Sequence, residues 1–553
     1  MIDKVLNSIQ DYIQKSELAI FCGAGISFNS GIPLVFDIKK RILQELGLKN
    51  DEISNVLDFP MPFESFMESL INLHKTELLF DIFESTQPNA NHYLIAYLAK
   101  LGFLKTIITT NFDTLIERAL ELFQVSFTKY YHEDEFQNIP QNSNSIILVK
   151  LHGCISDKKN MGITIRKVSE QKLVSQRMQA LKYLFNNNSN KALLILGYSC
   201  SDIFDISPNI INNEFKKLEI FFIDHNYAKS PVILPISQKT GKNPFKEYNG
   251  YNIQINTDWF INQLSLIFGF KNDVNITTNN DWQYCISNWS VEIINKNTSN
   301  FINYAAGTLL FNIDNYIRAI PYFTKFYNSS IEKTHIAEGA FALGKTYREI
   351  GDELDKSKHF LKIAIKISKE FGLYKMQSKA LNSLGIVYWD TKEFEKSIEC
   401  YDEAFSISES ASNIEIQAKC IGNKAIVLKD MGGDENLRKS LKSHEQSLHL
   451  SQSIGDKKSE GRTLGNIGRT YSAMGDKIKA IEFYQKALNI AIDLSDLRHM
   501  GIWHENIGAE YVNIENDLAG INLNKAIEIF SSINNSSYVE RCRTYLEKIK
   551  KDN

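Results

Sequence analysis

The apolar run Leu18-Ala19-Ile20-Phe21-Cys22 is followed directly by Gly23-Ala24-Gly25-Ile26-Ser27. Five consecutive apolar residues that stop at a glycine indicate a buried parallel strand that runs into a tight loop. Glycine lets the backbone bend sharply and lets a ligand approach where a Cβ atom would clash. The loop amides, the start of the following helix and the Ser27 hydroxyl would then face a pyrophosphate. A glycine-rich loop is weak evidence alone, so the nucleotide site depends on the segments that come later in the chain.

Length, charge and cysteine content limit the class of protein. The chain has 553 residues, and 62 Lys and Arg against 65 Asp and Glu give a net charge of −3. This predicts more than one domain and offers no basic excess for nucleic acid or anionic lipid. No run approaches the ~18 apolar residues of a membrane helix, and the first residues do not form a secretory signal. The seven cysteines include no C-x-x-C pair. We therefore expect a soluble cytoplasmic protein without a zinc site or disulfides.

Four further apolar runs are predicted strands, and polar residues follow each of them. The runs are 106–109, 146–149, 192–196 and 218–223. The residues that follow them are Thr110-Asn111-Phe112-Asp113, Lys150-Leu151-His152-Gly153, Gly197-Tyr198-Ser199-Cys200-Ser201-Asp202 and Asp224-His225-Asn226. Because open α/β sheets bind ligands at the carboxyl ends of their strands, these side chains are expected to share one pocket.

Two of these positions, and Phe36 near the first loop, have a structural alternative. His152 lies between a strand and a glycine, which also suits a hydrogen-bonded turn residue. Asp224 can accept hydrogen bonds from ribose hydroxyls, or it can cap a helix. Phe36, after Gly31-Ile32-Pro33, can close over a flat ring, or it can belong to the core.

In their order along the chain these segments resemble the sirtuin catalytic domain. The matching motifs are Gly-Ala-Gly-Ile-Ser, Gly-Ile-Pro, Thr-Asn-Phe-Asp, Leu-His-Gly and Gly-Tyr-Ser. The resemblance covers roughly residues 1–270 and implies a Rossmann-like parallel sheet that binds NAD and breaks its bond to nicotinamide. Residues 38–104 have a helical pattern and would form an inserted helical subdomain.

The departures from that family are informative. Thr110 stands where deacylating sirtuins have Gln, and Leu34-Val35-Phe36 stand where they have Asp-Phe-Arg. The four-cysteine zinc module is missing, and Cys154 is the one cysteine near its place. These differences look like the sirtuin-like NAD hydrolases of bacterial antiphage defence, so NAD is expected as a substrate and no zinc is expected.

The resemblance implies a role for each matching residue. Asn111 would lie beneath the nicotinamide ribose and position a water molecule, and His152 would be the general base. The NAD-binding residues would be Gly23, Ala24, Gly25, Ser27, Phe36, Asp113, Gly197, Ser199, Asp202 and Asp224.

The second half of the chain is a tandem array. Residues 271–300 are rich in Asn and Thr and are predicted to be a linker. Residues 301–553 repeat a small residue at Gly344, Gly385, Ala425, Gly468 and Gly508, with a second helix after each. The pattern is similar to tetratricopeptide repeats, which build a solenoid with a binding surface and no chemistry of its own.

The predicted protein is therefore an NAD hydrolase of the abortive antiphage type with a C-terminal repeat solenoid. The repeats would sense a protein or peptide trigger or drive assembly into a homo-oligomer, and the alternative is an inert scaffold. Two rival functions remain open: an NAD-dependent protein deacylase, and a non-catalytic adaptor that binds NAD or ADP-ribose. The identity of the trigger and the choice between linear and cyclic ADP-ribose are not encoded in any motif.

Overall fold

A computed structural model describes residues 2–59, 61, 63–70, 76–84, 87–140, 145–158, 179–185, 189–200, 206, 210, 217–226, 230–240, 243–271, 281–293, 299–494, 496–512, 514–532 and 535–552. The chain divides into two compact units, Met1–Leu309 and Leu310–Asn553.

Eight strands of the described residues form one sheet in the first unit. They are β1 (Leu18–Cys22), β2 (Thr106–Thr109), β3 (Phe127–Tyr130), β4 (Ile146–Lys150), β5 (Ala192–Leu196), β6 (Glu219–His225), β7 (Val232–Pro235) and β8 (Asn249–Ile255). Their order across the sheet is β3-β4-β2-β1-β5-β6-β8-β7. All neighbouring pairs are parallel except β7 with β8. The predicted parallel sheet is therefore confirmed.

Both faces of the sheet are covered, which explains the continuous apolar runs. Alternate residues of a strand point to opposite faces. Leu18, Ile20 and Cys22 belong to one core cluster, and Ala19 and Phe21 belong to the other. The flanking helices of this unit are α1 (Ile2–Gln14), α2 (Val35–Glu45), α3 (Asn50–Asp58), α4 (Phe63–Leu70), α5 (Ala90–Lys100), α6 (Leu115–Leu122) and α7 (Thr257–Ile267).

The segment 271–300, for which the sequence predicts a linker, contains a helix in its described part, α8 (Trp282–Ile293). Ile286 and Trp289 of this helix are fully buried. Ser287 and Ser290 each donate a hydrogen bond of 2.8 Å to the Glu45 carboxylate at the end of α2. The helix α8 is thus packed onto the first unit. Helix α9 (Ser299–Asn312) follows and crosses the boundary between the units.

The second unit is built from antiparallel helix pairs. Its helices are α10 (Tyr316–Ser329), α11 (Lys333–Ile350), α12 (Leu354–Glu370), α13 (Tyr374–Asp390), α14 (Phe394–Ser410), α15 (Ile414–Met431), α16 (Asp434–Ser453), α17 (Lys457–Ala473), α18 (Lys477–Asp493), α19 (Leu497–Tyr511), α20 (Asn516–Ser532) and α21 (Ser536–Asp552). The repeat array and its second helices are therefore confirmed.

Close packing within each pair explains the repeated glycine. A Cβ atom at this position would lie well inside van der Waals contact with a side chain of the second helix. The distance from such a Cβ atom would be 2.6 Å to Leu361 for Gly344, 2.7 Å to Tyr401 for Gly385, 2.7 Å to Tyr484 for Gly468 and 2.8 Å to Leu523 for Gly508.

Candidate active site

Two glycine-containing loops meet where the chain changes direction across the sheet. From β1 the chain moves to β2 and β4 on one side, and it then crosses to β5 on the other. Crevices at such a switch point are the usual ligand sites of parallel sheets. The Gly23 amide donates to the Leu196 carbonyl (2.9 Å), and the Gly25 amide donates to the Gly197 carbonyl (3.0 Å). The loops after β1 and β5 are therefore held together at this crevice.

The glycines are required by this contact between loops. A Cβ atom on Gly23 would lie 2.5 Å from the Gly197 carbonyl oxygen. Gly197 has a φ of +64°, and its Cβ would lie 2.5 Å from the Ile26 amide nitrogen. The sequence predicts that these glycines allow a ligand to approach. The structure shows that they allow the backbones of the two loops to pack closely against each other. Ala24 and Gly25 begin the 3₁₀ segment Ala24–Ser30 and remain half-buried.

Ser27 is the centre of a buried hydrogen-bonded group. Its hydroxyl donates to Oδ2 of Asp113 (2.9 Å) and accepts from Nδ2 of Asn111 (3.1 Å). Nε2 of His92 lies 3.3 Å from the same hydroxyl. Ser27 is fully buried, and its single proton is used on Asp113. In this geometry Ser27 orients Asn111 and Asp113, while the phosphate contact expected for it stays a prediction.

His92 completes the group and is not singled out by any sequence motif. Its Nδ1 accepts a hydrogen bond from the Asn89 amide (3.1 Å), so Nε2 carries the proton and donates to Ser27. Burial, together with the charge of Lys150, lowers the pKa of His92 to about 3. The ring is therefore neutral at pH 7. The one local signal is Asn89 ahead of an apolar run, which is typical of a helix N-cap, and Asn89 caps α5.

The amide of Asn111 has a defined orientation. Because the Ser27 hydroxyl gives its proton to Asp113, it must accept from Asn111, and this places Nδ2 toward Ser27. The side-chain oxygen of Asn111 is buried and has no hydrogen-bond partner among the described residues. A buried carbonyl oxygen without a donor is uncommon in folded proteins. It is therefore available to accept a hydrogen bond from a bound molecule.

Lys150 stabilises the loop that carries Asn111 and Asp113. This residue ends β4 and is fully buried. Its ammonium donates to the Asp113 carbonyl and forms a 3.0 Å ion pair with Glu117. Burial by itself lowers the pKa of Lys150, but Glu117, Cys154 and Asp113 outweigh it and raise that pKa. Burial also raises the pKa of Asp113, and Lys150 opposes that shift.

His152 and Asn111 occupy matching positions in the loops that follow two neighbouring strands, β4 and β2. Thr109 of β2 is paired with Lys150 of β4, so each site residue lies two positions beyond this pair. Adjacent strands are about 4.8 Å apart, which brings the two backbones together at one edge. His152 is 8% exposed, and its ring centroid is 6.1 Å from that of Phe112. The catalytic roles of both residues remain predictions.

Phe36 lies in the first turn of α2 and is 55% exposed. The alternative that placed it in the core is therefore wrong. Phe28, Leu34 and Val35 are also exposed, and with Phe36 they flank Gly31 in the sequence. This turn and the start of α2 present apolar side chains to solvent beside the glycine loop.

Of the remaining predicted binding residues that the structure describes, Ser199 follows β5 and Asp224 lies on β6. Ser199 follows the Gly197 turn and is exposed. Asp224 is half-buried near the end of β6 and accepts a hydrogen bond from Asn252 Nδ2 (3.4 Å). Asp202 lies outside the described residues. Ser199 therefore adjoins the crevice, and Asp224 lies one strand further along the sheet.

Metal-ligating clusters and membrane-spanning helices are both absent from the described part of the chain. No group of three or more His, Cys, Asp or Glu side chains there is arranged to hold a metal ion. None of the helices described is both long and apolar enough to cross a bilayer.

Comparison with known proteins finds family matches within each half of the chain. Residues 105–207 match the SIR2-like domain family, and residues 378–410 and 423–493 match tetratricopeptide repeat families. The chain is 32% identical over 125 residues to an NAD-dependent protein deacetylase of Clostridium perfringens, covering 21% of this chain and 47% of that protein. It is 24% identical over 201 residues to the NAD(+) hydrolase ThsA of Enterococcus faecium, covering 36% of this chain and 40% of that protein.

The chain thus spans about half the length, or less, of these relatives. Among solved structures, aspartyl phosphate phosphatase F of Bacillus subtilis is similar over 53% of this chain and 81% of its own, with 12% identity and a TM-score of 0.38. A likeness of that size carries no functional argument. On the sequence matches and the observed fold, the chain joins a SIR2-like domain to C-terminal tetratricopeptide repeats.

Proposed function

We propose that the N-terminal domain hydrolyses NAD to ADP-ribose and nicotinamide. The observation that carries the proposal is the buried oxygen of Asn111, which lacks a partner among the described residues and belongs to an amide held by Ser27. It lies at the switch point of a parallel sheet, where dinucleotides bind in folds of this type. The relationship to a SIR2-like domain supplies NAD as the substrate class.

The chemistry needs little more than orientation and a nucleophile. Nicotinamide leaves as a neutral base while positive charge develops on its ribose. Asn111 accepts a hydrogen bond from a water molecule and holds it against the ribose carbon. His152, at the matching position after the neighbouring strand β4, takes the proton from that water or from a ribose hydroxyl. The buried Asp113 carboxylate lies in the same group and favours the developing positive charge.

Protein deacylation is the second candidate, because several relatives are named NAD-dependent protein deacetylases or deacylases. The two reactions share the loss of nicotinamide and differ in the nucleophile. Thr110 stands in place of the Gln found in deacylating sirtuins, and this departure favours water over an acyl-lysine peptide. The hydrolase ThsA is the relative that supports this choice.

Nicotinamide release from the purified full-length protein tests the proposal. The protein is incubated with NAD, with and without an acetyl-lysine peptide, and products are separated by liquid chromatography. Release without peptide is expected, and Asn111→Ala and His152→Ala should each reduce it at least a hundredfold. Asn55→Ala, an exposed substitution on α3, is the matched control and should retain activity. Release that requires peptide would establish deacylation instead.

A purified protein that awaits a trigger would be silent, so the cellular arm is decisive. NAD is measured in cells that express the wild type, the His152→Ala variant or the Asn55→Ala control. Depletion of NAD and growth arrest are expected with the wild type and the control, and neither is expected with His152→Ala. Equal NAD in all three strains, together with silence in vitro, would contradict hydrolysis and favour the adaptor.

Control of this activity is assigned to the repeats. An unregulated NAD hydrolase would empty its own cell, so the activity must be held back until a trigger arrives. Repeat arrays recognise other proteins along extended surfaces. We include in the proposal that the repeats bind a protein or peptide trigger, that active protein is a homo-oligomer, and that the setting is abortive antiphage defence in the cytoplasm.

A further inference from the structure

A 3₁₀ segment of the first unit packs against α8. The segment is Thr76–Phe83, and the brace is defined as residues 76–84, which add Glu84 to it. Burial and the charge of Asp81 both raise the pKa of Cys285 on α8, so these two side chains lie within electrostatic range of each other. The brace is therefore in contact with the last helix of the first unit before the chain turns toward the repeats.

The brace also holds the loop that carries His152. Nζ of Lys158, on this loop after β4, lies 2.6 Å from Oδ1 of Asp81 and 2.5 Å from Oε1 of Glu84. Burial lowers the pKa of Lys158, but the hydrogen bonds to both carboxylates outweigh it and raise that pKa. Two carboxylates around one ammonium group fix where this part of the loop lies.

A second contact joins the brace to the candidate site through aromatic rings. The ring centroids of Phe83 and Phe112 are 5.1 Å apart, and those of Phe112 and His152 are 6.1 Å apart. The Ile155 amide donates a 2.8 Å hydrogen bond to the Phe112 carbonyl. Phe112 directly follows Asn111 in the sequence. The brace therefore contacts the residue that links the loops after β2 and β4.

The ion pairs of Lys158 contribute more to placement than to stability. Its side chain is 35% exposed, and those of Asp81 and Glu84 are 39% and 54% exposed. Ion pairs with this much exposure contribute little to the free energy of unfolding. A change of activity caused by their loss can therefore be separated from a loss of folded protein.

The docking of α8 onto the first unit is opposed by a buried polar group. Trp289 is fully buried, and its indole nitrogen has no hydrogen-bond partner among the described residues. An N–H group that loses water without gaining an acceptor favours the undocked helix. Ser290 and the Glu45 carboxylate provide one of the polar contacts that oppose this cost. Helix α9, which follows α8, crosses into the repeat unit. A force or a bound partner on the repeats would thus reach α8 first along the chain.

We propose that Phe83 and Lys158 are positioning residues for His152, and that they make its placement depend on the docking of α8. With α8 docked, the brace holds both Phe112 and the loop after β4. Undocking of α8 releases the brace, and the His152 ring then loses its fixed orientation toward the ribose. The inference rests on the proposed function for the reaction that is controlled, and a trigger would act by stabilising the docked helix.

Hydrogen–deuterium exchange of the full-length protein without NAD tests the coupling. Ser290→Glu places a second carboxylate against Glu45 and should undock α8, and Asn288→Glu adds the same charge at an exposed position of the same helix. Peptides that cover 152–158 should exchange at least fivefold faster in Ser290→Glu only, while those that cover β4 and β5 stay unchanged. Equal exchange of 152–158 in all three proteins would overturn the proposal, as would equally faster exchange throughout the sheet.

Kinetics of nicotinamide release test the two positioning residues. Lys158→Met should lower kcat about tenfold, with KM for NAD changed less than threefold and the melting temperature nearly unchanged. Lys158→Arg, which can pair with both carboxylates, should restore kcat to within about threefold of the wild type. Phe83→Leu should lower kcat in the same way.

A double-mutant cycle links the two sets of variants. Because both changes act through the brace, Lys158→Met should lower kcat no further in the Ser290→Glu protein. Independent, multiplying losses would overturn the proposal, and so would a wild-type kcat in Lys158→Met. The exchange measurement contains no NAD, so it decides the coupling even where the wild type releases no nicotinamide. A failure of the proposed function is therefore distinct from a failure of this inference.

Discussion

Replacing Ser27 with alanine removes the centre of the buried group around Asn111. Oδ2 of Asp113 loses its donor, and both Nδ2 of Asn111 and Nε2 of His92 lose their acceptor. A buried polar group left without its partner costs about 1–3 kcal/mol. Since the cavity created by losing one oxygen is small, we expect Ser27→Ala to lower the free energy of unfolding of this domain by about 3 kcal/mol. The corresponding fall in melting temperature is roughly 5–10 °C.

The kinetic effect separates orientation from phosphate binding. With its amide free to rotate, Asn111 would hold the water correctly in a small fraction of molecules, so kcat for nicotinamide release should fall about 10–100-fold. KM for NAD should change less than threefold, because the Ser27 side chain is fully buried and its proton is directed at Asp113. Initial rates over a range of NAD concentrations measure both constants.

Ser30→Ala is the matched control, because Ser30 is buried in the same 3₁₀ segment and takes no part in the hydrogen bonds by which Ser27 holds Asn111 and Asp113. It should leave kcat within about twofold of the wild type. A large rise in KM for Ser27→Ala with little change in kcat would refute the reasoning. It would show that the hydroxyl contacts NAD directly.

Three further substitutions test other parts of the site. Gly197→Ala should destabilise the domain by several kcal/mol more than Gly102→Ala. Both glycines have positive φ, but only at Gly197 would a Cβ atom clash with the backbone of another loop. Chemical denaturation measures the difference in the free energy of unfolding, and equal effects would contradict the packing argument. Lys150→Met should lower the free energy of unfolding by about 3–5 kcal/mol, because Glu117 stays buried without this partner. Adding Glu117→Gln to the same chain should restore much of that stability in the same assay. The pKa of His92 is about 6.5 in the unfolded chain and about 3 in the folded domain, so the unfolded chain binds the proton first as the pH falls. The free energy of unfolding should therefore decrease below pH 6.5, by up to about 1.4 kcal/mol per pH unit. If a His92→Gln variant shows the same pH slope, protonation of His92 is not its cause.

Long apolar runs make the central strands predictable. β1, β2 and β5 are buried on both faces, and each occurs at the residues where the sequence predicts it. β3 and β7 escape prediction because they are short strands at the edges of the sheet. Their residues are mostly half-exposed; β3 has no apolar run, and the short apolar run of β7 lies between two prolines, which are rare inside strands. β8 escapes prediction because Asn249 and Gly250 weaken the strand pattern at its start.

The sequence predicts which residues lie near the candidate site, but it does not predict the hydrogen bonds between them. Motifs at strand ends indicate Asn111 and His152, because the ends of parallel strands share one edge. The bond between Ser27 and His92 joins residues 65 positions apart, and no local pattern encodes it. Lys150 belongs to a motif that the sequence analysis recognises. Its hydrogen bond to the Asp113 carbonyl, however, depends on the register of β2 with β4.

The packing of α8 sets where the first unit can be cut. Glu45 receives hydrogen bonds from Ser287 and Ser290, and Arg41 donates to Ser287 (2.7 Å). Cleavage before Trp282 would strip these partners from a carboxylate on α2 and uncover the surface that buries Trp289. An N-terminal fragment for crystallisation or ligand soaking should therefore extend through Ile293, well past the last strand. A protease site engineered after this helix, rather than before it, would release the domain with its surface intact.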